Sequence, residues 1–297
     1  MKKLYGLTTA MLTPFTEDGG VDYESFREMT DFYVDRGVHC LYPMGTNGEM
    51  FRMNAEERMR AAETVKKQSA GRCTVYIHCG AVSEEETISL VRHAESIGAD
   101  GAGVVTPTFF GLTEEEKLTY YTHVSQSVPF SFPIYLYSIP SLANNDLPLS
   151  TVEKIAKQCP NVTGIKYSGP DMMLLMDYLT VRNSSFSVLP GFEKLMLPAL
   201  ACGADGAISG VSSAFPEPFV ALYQAFKAGE LAEAQRLSMI CSIYIRAMRF
   251  GCSHAFLKAV LRERGLKSGY VRKPGMELSP SEADSLRDLL KTLPSWK

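Results

Sequence analysis

Short apolar runs rich in β-branched residues alternate with longer amphipathic segments about eight times along the chain. The amphipathic segments carry the helical period, most clearly YESFREMTDFYVDRG, where one apolar stripe comprises Phe26, Met29, Phe32 and Tyr33 and Gly37 marks the end. The eight predicted strands are YGLTTA near Tyr5, CLYPMG from Cys40, TVYIHCG from Thr74, GAGVVTP from Gly101, PIYLYSIP from Pro133, VTGIKYS from Val162, FSVLPG from Phe186 and GAISG from Gly206. Strands and helices in this alternation predict parallel strands joined by right-handed crossovers.

Eight strand-helix units indicate an α/β fold, a closed (β/α)₈ TIM barrel over residues 1–228. An open doubly wound sheet usually has fewer strands and a glycine-rich first turn. Three further helical patterns, over residues 231–250, 253–264 and 280–293, form a C-terminal helical extension over residues 229–297. No Pro/Gly/Ser linker precedes it, so we expect it to pack on the barrel or at a subunit contact.

Composition favours small-molecule partners and copies of the same chain. Of 297 residues, 45% are hydrophobic and 21% charged, and the formal net charge is -3 without a basic cluster, which argues against nucleic acid and anionic membranes. No apolar run approaches the roughly 20 residues of a membrane helix. The apolar stretch after the N-terminal lysines is short and broken by threonines before Pro14, and predicts a strand rather than a secretory signal.

Cysteine and histidine spacing argues against a metal or disulfide framework. The seven cysteines are scattered and never spaced as CxxC, which favours free thiols in a reducing cytoplasm. The five histidines form neither HxH nor HExxH, and His78 alone could reach the strand ends. No GxGxxG follows the first strand, so we expect no nicotinamide cofactor.

Lys166 ends the sixth strand and is the candidate nucleophile. By the two-residue period it shares a face with Val162 and Gly164, and the glycine leaves room for the lysine to point inward. An apolar surround would favour the free amine, which attacks carbonyls to form a Schiff base. The alternative is a lysine that reaches solvent at a strand end.

Two further strand ends carry polar groups. The turn Gly45-Thr46-Asn47-Gly48-Glu49 could direct backbone N–H groups at a substrate carboxylate, or be structural, with Glu49 a buried or capping carboxylate. Tyr137 shares a face with Tyr135 and lies nearer the strand end, which suits general acid-base work unless it is a core aromatic residue. Gly191 and the glycines of residues 203–210 fit either phosphate binding or tight barrel packing, and we favour packing.

The chain resembles the dihydrodipicolinate synthase and N-acetylneuraminate lyase family of pyruvate-dependent class I aldolases. The likeness spans nearly the whole length and is carried by GLTTAMLTPF at the start, GTNGE at 45–49, TPTFF at 106–110, YSIP at 137–140, GIKYSG at 164–169, GFEK at 191–194 and GADGAISG at 203–210. The resemblance implies a Schiff base on Lys166 without a cofactor, proton relay by Tyr137, and a pyruvyl carboxylate held by Thr46 and the backbone at Asn47. It also implies a homotetramer built as a dimer of dimers.

Departures from the family pattern point to a branch. Synthases of the lysine pathway typically carry an arginine at the position of Leu142, so the chain looks more like the neuraminate lyase and 2-keto-3-deoxy sugar-acid aldolase branches. Ser138 replaces an asparagine and Asn47 replaces a second hydroxyl residue. Phe109 and Phe110 stand where relatives keep a tyrosine that reaches a neighbouring subunit, so the relay must be shorter or use water.

In the lyases an acidic pair binds the glycerol tail of sialic acid, whereas this chain has Glu193 followed by Lys194, which argues against a sialic acid lyase. We expect catalysis by Lys166, Tyr137 and Thr46. The expected substrate-binding residues are Asn47, Gly45, Ser168, Gly191, Glu193, Leu142, Phe110 and Ser209.

The predicted function is a cytoplasmic class I aldolase that joins or separates pyruvate, or another 2-oxo acid, and a hydroxylated aldehyde. Dihydrodipicolinate synthase, opposed by Leu142, and a sugar-acid dehydratase use the same chemistry. The remaining alternatives are a non-catalytic 2-oxo-acid binding protein and, last, a phosphate-binding barrel.

Overall fold

The computed structural model describes residues 2–181 and 186–295. The strands are β1 Gly6–Ala10, β2 Cys40–Tyr42, β3 Thr74–His78, β4 Gly101–Val105, β5 Ile134–Ser138, β6 Val162–Tyr167, β7 Ser187–Pro190 and β8 Gly206–Ser209. The helices are α1 Tyr23–Asp35, α2 Ala55–Ser69, α3 Glu84–Ser96, α4 Glu114–Gln126, α5 Pro140–Ala143, α6 Leu149–Gln158, α7 Met172–Tyr178, α8 Met196–Ala201, α9 Glu217–Lys227, α10 Leu231–Ala247, α11 His254–Glu263 and α12 Pro280–Thr292.

The eight strands form one parallel sheet in the order β7-β6-β5-β4-β3-β2-β1-β8. Strand β1 pairs with both β2 and β8, which curls the sheet back on itself. Between β7 and β8 the Asp205 N–H donates to the Val188 carbonyl at 3.3 Å. The predicted (β/α)₈ TIM barrel is therefore confirmed, and each predicted strand segment contains a strand.

Local sequence signals explain where the helices begin and end. Asp22 caps α1 by accepting hydrogen bonds from the backbone of Glu24 and Ser25, and Gly37 follows the helix with a φ of 74°. The predicted apolar stripe of α1 is buried against the barrel. Reciprocal capping boxes start α2, α4 and α12, each with a glutamate three residues after the cap.

Large aromatic side chains fill the barrel interior, and glycines face them. A Cβ on Gly101 would lie 2.4 Å from the ring of Tyr76, and a Cβ on Gly164 would lie 2.4 Å from the ring of Tyr135. The room at Gly164, which the sequence analysis assigned to Lys166, is therefore taken by Tyr135 from the neighbouring strand. Lys166 lies two residues further along β6, on the same face of the strand as Gly164 and nearer its carboxyl end.

The three predicted C-terminal helices are present as α10, α11 and α12. Helix α10 ends earlier than predicted, because the 3₁₀ turn at Arg249–Gly251 contains Phe250 with a φ of 56°. A salt bridge between Lys258 of α11 and Glu49, with 2.7 Å between Nζ and Oε1, ties the extension to the barrel. Both side chains are completely buried.

All seven cysteines are free thiols, and Cys202 and Cys252 are exposed. Within residues 2–181 and 186–295 no helix is both long enough and apolar enough to cross a bilayer.

Candidate active site

A cavity of about 580 Å³ opens at the carboxyl ends of the strands. This is the end of a (β/α)₈ barrel that carries the chemistry, because the loops that follow the strands converge there. The cavity is lined by Ala10, Thr46, Asn47, Tyr137, Ile139, Ser141, Leu142, Lys166, Ser168, Gly191, Phe192, Glu193, Lys194, Ile208, Gly210, Ile245, Phe250, Gly251, Cys252 and His254.

Lys166 lies inside this cavity with only 5% of its surface exposed. Its Nζ is 3.9 Å from the ring centroid of Tyr137 and 5.2 Å from that of Tyr42. The faces of two aromatic rings therefore border the Lys166 nitrogen inside the cavity. The alternative prediction, in which the Lys166 side chain extends into solvent at the end of the strand, is therefore wrong.

Tyr137 and Thr46 form a hydroxyl pair beside the amine. The Tyr137 hydroxyl and Thr46 Oγ1 are 3.1 Å apart, close enough for either to donate a hydrogen bond. Strands β5 and β6 are in register at this point, with Tyr137 opposite Lys166. Parallel pairing thus brings the phenol and the amine to the same end of the barrel, as the sequence analysis expected.

His78 is the last residue of β3, but it packs against Tyr137 and does not line the cavity. It is buried, its ring packs edge-to-face against Tyr137 at 5.8 Å, and Nδ1 is 3.1 Å from the Met44 carbonyl. Burial and the nearby charge of Arg58 hold the pKa of His78 well below its usual value. A neutral imidazole with Nδ1–H donating to Met44 fits these contacts.

The loop from Gly45 to Glu49 is held in an unusual backbone conformation. Met44 and Glu49 both have a φ of 56°, and a Cβ on Gly48 would lie 2.9 Å from the backbone of Met44. Thr13 Oγ1 donates to the Gly48 carbonyl at 2.8 Å. Within the described residues the N–H groups of Thr46 and Asn47 have no hydrogen-bond acceptor, which suits an incoming carboxylate.

Asn47 joins three strand ends. Its Nδ2 donates to the carbonyl of Ala10 at 3.3 Å and to the carbonyl of Gly210 at 3.0 Å. The side chain therefore positions the loop after β2 against the ends of β1 and β8. A hydroxyl residue at this position would be too short to span both carbonyls.

Strands β7 and β8 supply a second side of the cavity. Gly191 follows β7, and a Cβ there would lie 1.9 Å from Ser168 Oγ and 3.2 Å from Lys166 Cε. Glu193 Oε1 accepts hydrogen bonds from Ser209 Oγ at 3.1 Å, from Gly210 N at 2.6 Å and from Val211 N at 2.9 Å. Glu193 thus lines the cavity while it caps the turn after β8.

Three of the expected substrate-binding residues lie outside the cavity. Gly45 is buried beneath it, against the Tyr42 ring, and Ser209 is buried under Glu193. Phe110 is 74% exposed on the loop after β4 and packs edge-to-face on Phe109 at 5.0 Å. The other eight expected site residues, catalytic and substrate-binding, line the cavity.

Residues of the C-terminal extension form a wall that the sequence analysis did not anticipate. Ile245, Phe250, Cys252 and His254 line the cavity although they follow no barrel strand. Burial lowers the pKa of His254, which is approached by the backbone of Thr46. The glycine and serine between α10 and α11 signal a turn, but nothing local to the sequence indicates where that turn lies.

The donors needed for a resident metal ion are not gathered in the described part of the chain. In residues 2–181 and 186–295 no group of three or more histidine, cysteine, aspartate or glutamate side chains is arranged so that it could hold a metal ion.

The chain that forms this cavity matches a known protein family over nearly its whole length. The family model described as the dihydrodipicolinate synthetase family matches residues 3–293. The chain belongs to this family. A 4-hydroxy-tetrahydrodipicolinate synthase from Aquifex aeolicus is 32% identical over 286 residues, 96% of each chain. A probable 2-dehydro-3-deoxy-D-pentonate aldolase, YjhH of Escherichia coli, is 34% identical over 298 residues, 98% of this chain and 97% of its own.

The fold agrees with solved members of the family. The crystal structure of YagE, an Escherichia coli prophage protein of the dihydrodipicolinic acid synthase family in complex with pyruvate, superposes with a TM-score of 0.93. It is 27% identical in sequence, and the match covers 98% of this chain and 99% of that one. As a member of the family, the protein is a class I pyruvate-dependent aldolase, a carbon-carbon lyase.

Proposed function

We propose that the protein joins or cleaves a carbon-carbon bond between pyruvate and an aldehyde through a Schiff base on Lys166, without a cofactor. The supporting observation is one cluster: the buried Lys166 amine lies on the face of Tyr137, whose hydroxyl meets Thr46 at 3.1 Å. The amine is the nucleophile, and the hydroxyl pair supplies and removes protons within the same cavity.

In the cleavage direction, Lys166 attacks C2 of a 4-hydroxy-2-oxo acid and water leaves as the iminium forms. The hydroxyl that leaves as water takes its proton from Tyr137, and the resulting phenolate then removes the proton of the C4 hydroxyl. The C3–C4 bond breaks towards the iminium, and the aldehyde departs. The remaining enamine takes a proton at C3. Water then adds to the iminium carbon and releases pyruvate and the free amine.

The surround of Lys166 suits the charge changes of this sequence. The iminium is a cation beside the faces of Tyr137 and Tyr42, which stabilise it. The N–H groups of Thr46 and Asn47, with the Thr46 hydroxyl, hold the pyruvyl carboxylate. The Asn47 side chain holds the loop in place through its bonds to the carbonyls of Ala10 and Gly210. Gly191 and Ser168 line the space beside the amine. Glu193 and Leu142 line the part of the cavity that would hold the aldehyde.

The second substrate that we propose is the aldehyde half of a 2-keto-3-deoxy sugar acid. Leu142, exposed at the cavity, offers no charge to an amino-acid semialdehyde, and YjhH bears the name of a probable 2-dehydro-3-deoxy-D-pentonate aldolase. The synthase reaction is the second candidate, since the Aquifex aeolicus relative carries that name. Loss of water from a sugar acid would use the same imine.

Reduction with borohydride in the presence of pyruvate tests the proposal. We expect an irreversible pyruvyl adduct on the peptide that contains Lys166 and none in Lys166→Arg. Lys258 is an internal control, because it is completely buried and bound to Glu49. Reversible pyruvate binding without an adduct would instead support a binding protein.

An assay panel then separates the candidates. 2-Keto-3-deoxy acids, sialic acid and aspartate semialdehyde with pyruvate are compared by release or consumption of pyruvate. Turnover of aspartate semialdehyde alone would assign the synthase reaction and exclude the sugar-acid proposal. Formation of a 2-oxo acid without pyruvate release would assign a dehydratase.

We further propose a homotetramer, built as a dimer of dimers, in the cytoplasm, with the division between barrel and extension at residues 228 and 229. The exposed aromatic pair Phe109 and Phe110, 80% and 74% exposed, supports a subunit contact at the loop after β4. Free thiols support a reducing compartment. Light scattering of the purified protein measures the oligomer.

A further inference from the structure

Lys194 lines the cavity from the turn after β7 and has no acidic partner there. Its Nζ lies 4.9 Å from the ring centroid of Phe250, across the cavity mouth in the C-terminal extension. No carboxylate within the described ranges 2–181 and 186–295 comes within 4.0 Å of this ammonium. The Lys194 ammonium has three N–H donors, and the Phe250 ring provides no lone pair to accept a hydrogen bond from any of them.

Glu193, the adjacent carboxylate, is already engaged. A single oxygen, Oε1, accepts hydrogen bonds from Ser209, Gly210 and Val211. Using that oxygen to hold a sugar hydroxyl would remove donors from the turn after β8. The neighbouring pair therefore presents to the cavity a carboxylate that is fixed in place through Oε1 and a cation that has no acidic partner.

The walls around Lys194 strengthen its attraction for a negative charge. Phe250 contacts Lys194, and Ile139, Leu142 and Phe192 are further apolar residues of the same cavity, whose mouth leaves Lys194 exposed to solvent. Charges interact more strongly beside low-dielectric surfaces than in water. An anionic group on the substrate would therefore gain more at this end of the cavity than a neutral hydroxyl would.

We infer that Lys194 binds a carboxylate or phosphate at the far end of the aldehyde, so that the preferred 2-keto-3-deoxy sugar acids are those that carry a second anionic group on the aldehyde half. This inference rests on the proposed aldolase function, in which Lys166 holds the pyruvate half. Lys194 is a substrate-binding residue that sets specificity, and the ring of Phe250 restricts where its amine can go.

The test compares charged and uncharged aldehydes of matched length in the condensation direction with pyruvate. One pair is D-glyceraldehyde 3-phosphate and D-glyceraldehyde, and the other is succinic semialdehyde and butanal, so the two pairs distinguish phosphate from carboxylate. The readout is the ratio of kcat/KM for the charged member to that for the neutral member. The variants are Lys194→Gln, Lys194→Glu and Lys194→Arg, with Lys227→Gln as an exposed lysine outside the cavity.

We expect the wild-type ratio to exceed one for at least one pair and to fall about tenfold in Lys194→Gln, the scale of one charge-assisted contact. It should fall further in Lys194→Glu and persist in Lys194→Arg and Lys227→Gln. Raising NaCl from about 50 mM to about 300 mM should lower the wild-type ratio, because salt screens an exposed charge.

Two results separate this inference from the function on which it rests. A wild-type protein that gives no borohydride-trapped pyruvate adduct refutes the aldolase proposal itself. A protein that traps pyruvate but treats both members of each pair alike, turns over neither charged aldehyde, or keeps its ratio in Lys194→Gln refutes the anion site alone.

Discussion

The buried salt bridge between Glu49 and Lys258 gives the sharpest stability prediction. Both side chains are completely buried, and Lys258 Nζ also donates to the Tyr270 carbonyl at 2.6 Å. The change Glu49→Gln removes the counter-charge but leaves the ammonium enclosed. Removing one partner of a buried pair costs about 3–5 kcal/mol, because the other charge remains desolvated.

Such a loss is large for a protein whose stability is typically about 5–15 kcal/mol. At roughly 2 °C per kcal/mol for a chain of this length, the melting temperature should fall by about 6–10 °C. Denaturant titration followed by circular dichroism measures the free energy of unfolding. Arg27→Gln, at an exposed surface pair with Glu24, is the control and should change it by less than about 1 kcal/mol.

The double variant Glu49→Gln with Lys258→Met tests the physical reason. Replacing both charges removes both desolvation costs, although the contacts of Glu49 with Arg52 Nη1 at 2.6 Å and of Lys258 with the Tyr270 carbonyl are also lost, so the double variant should recover most of the stability lost in Glu49→Gln. A double variant as unstable as Glu49→Gln, or a single variant that loses less than about 1 kcal/mol, would refute the reasoning.

The pKa of Lys258 adds a dependence on pH. Burial lowers this pKa from 10.5 to about 8, although the nearby charge of Glu49 opposes the shift. The unfolded chain therefore binds more protons than the folded chain between about pH 8 and 10.5. The contribution of Lys258 to stability should rise with pH through that window, and this rise should be missing from the double variant.

Three changes at the cavity give further predictions. Lys166→Arg should abolish borohydride trapping of pyruvate while circular dichroism shows an unchanged fold, because a guanidinium does not form the imine. Tyr137→Phe should lower kcat by about 10²- to 10⁴-fold yet still trap pyruvate, which would be contradicted by a variant with near wild-type turnover. Gly191→Ala should slow borohydride trapping about tenfold, because the added Cβ would lie 1.9 Å from Ser168 Oγ. In the control Gly111→Ala the added Cβ has no atom within 4 Å, so this variant should trap pyruvate at the wild-type rate.

Much of the barrel could be predicted because its signals are local. Alternation of strand and helix periods identifies all eight strands, and parallel pairing then requires Lys166, Tyr137 and Thr46 to meet at one end. These three residues line one cavity in the structure. Their roles in catalysis stay predictions for the trapping and kinetic experiments.

The features of the site that the sequence did not predict depend on contacts between segments that are far apart along the chain. The wall that includes His254 and Phe250 follows from the path of the extension, which is fixed by pairs such as Glu49 with Lys258, 209 residues apart. A carboxylate at Glu193 looks like a substrate ligand in the sequence, yet its bonds to Gly210 and Val211 exist only once β7 and β8 are adjacent. Phe110 is exposed on the loop after β4 and does not line the cavity, which its place in the sequence does not reveal.

The wall supplied by the extension also affects when the protein becomes active during its synthesis. The cavity draws on residues from Ala10 to His254, and Lys258 secures the loop that carries Thr46. A chain still attached to the ribosome with this segment inside the exit tunnel has the lysine and the tyrosine but no finished pocket. Catalytic competence should therefore arise only after the chain has emerged beyond His254 and Lys258.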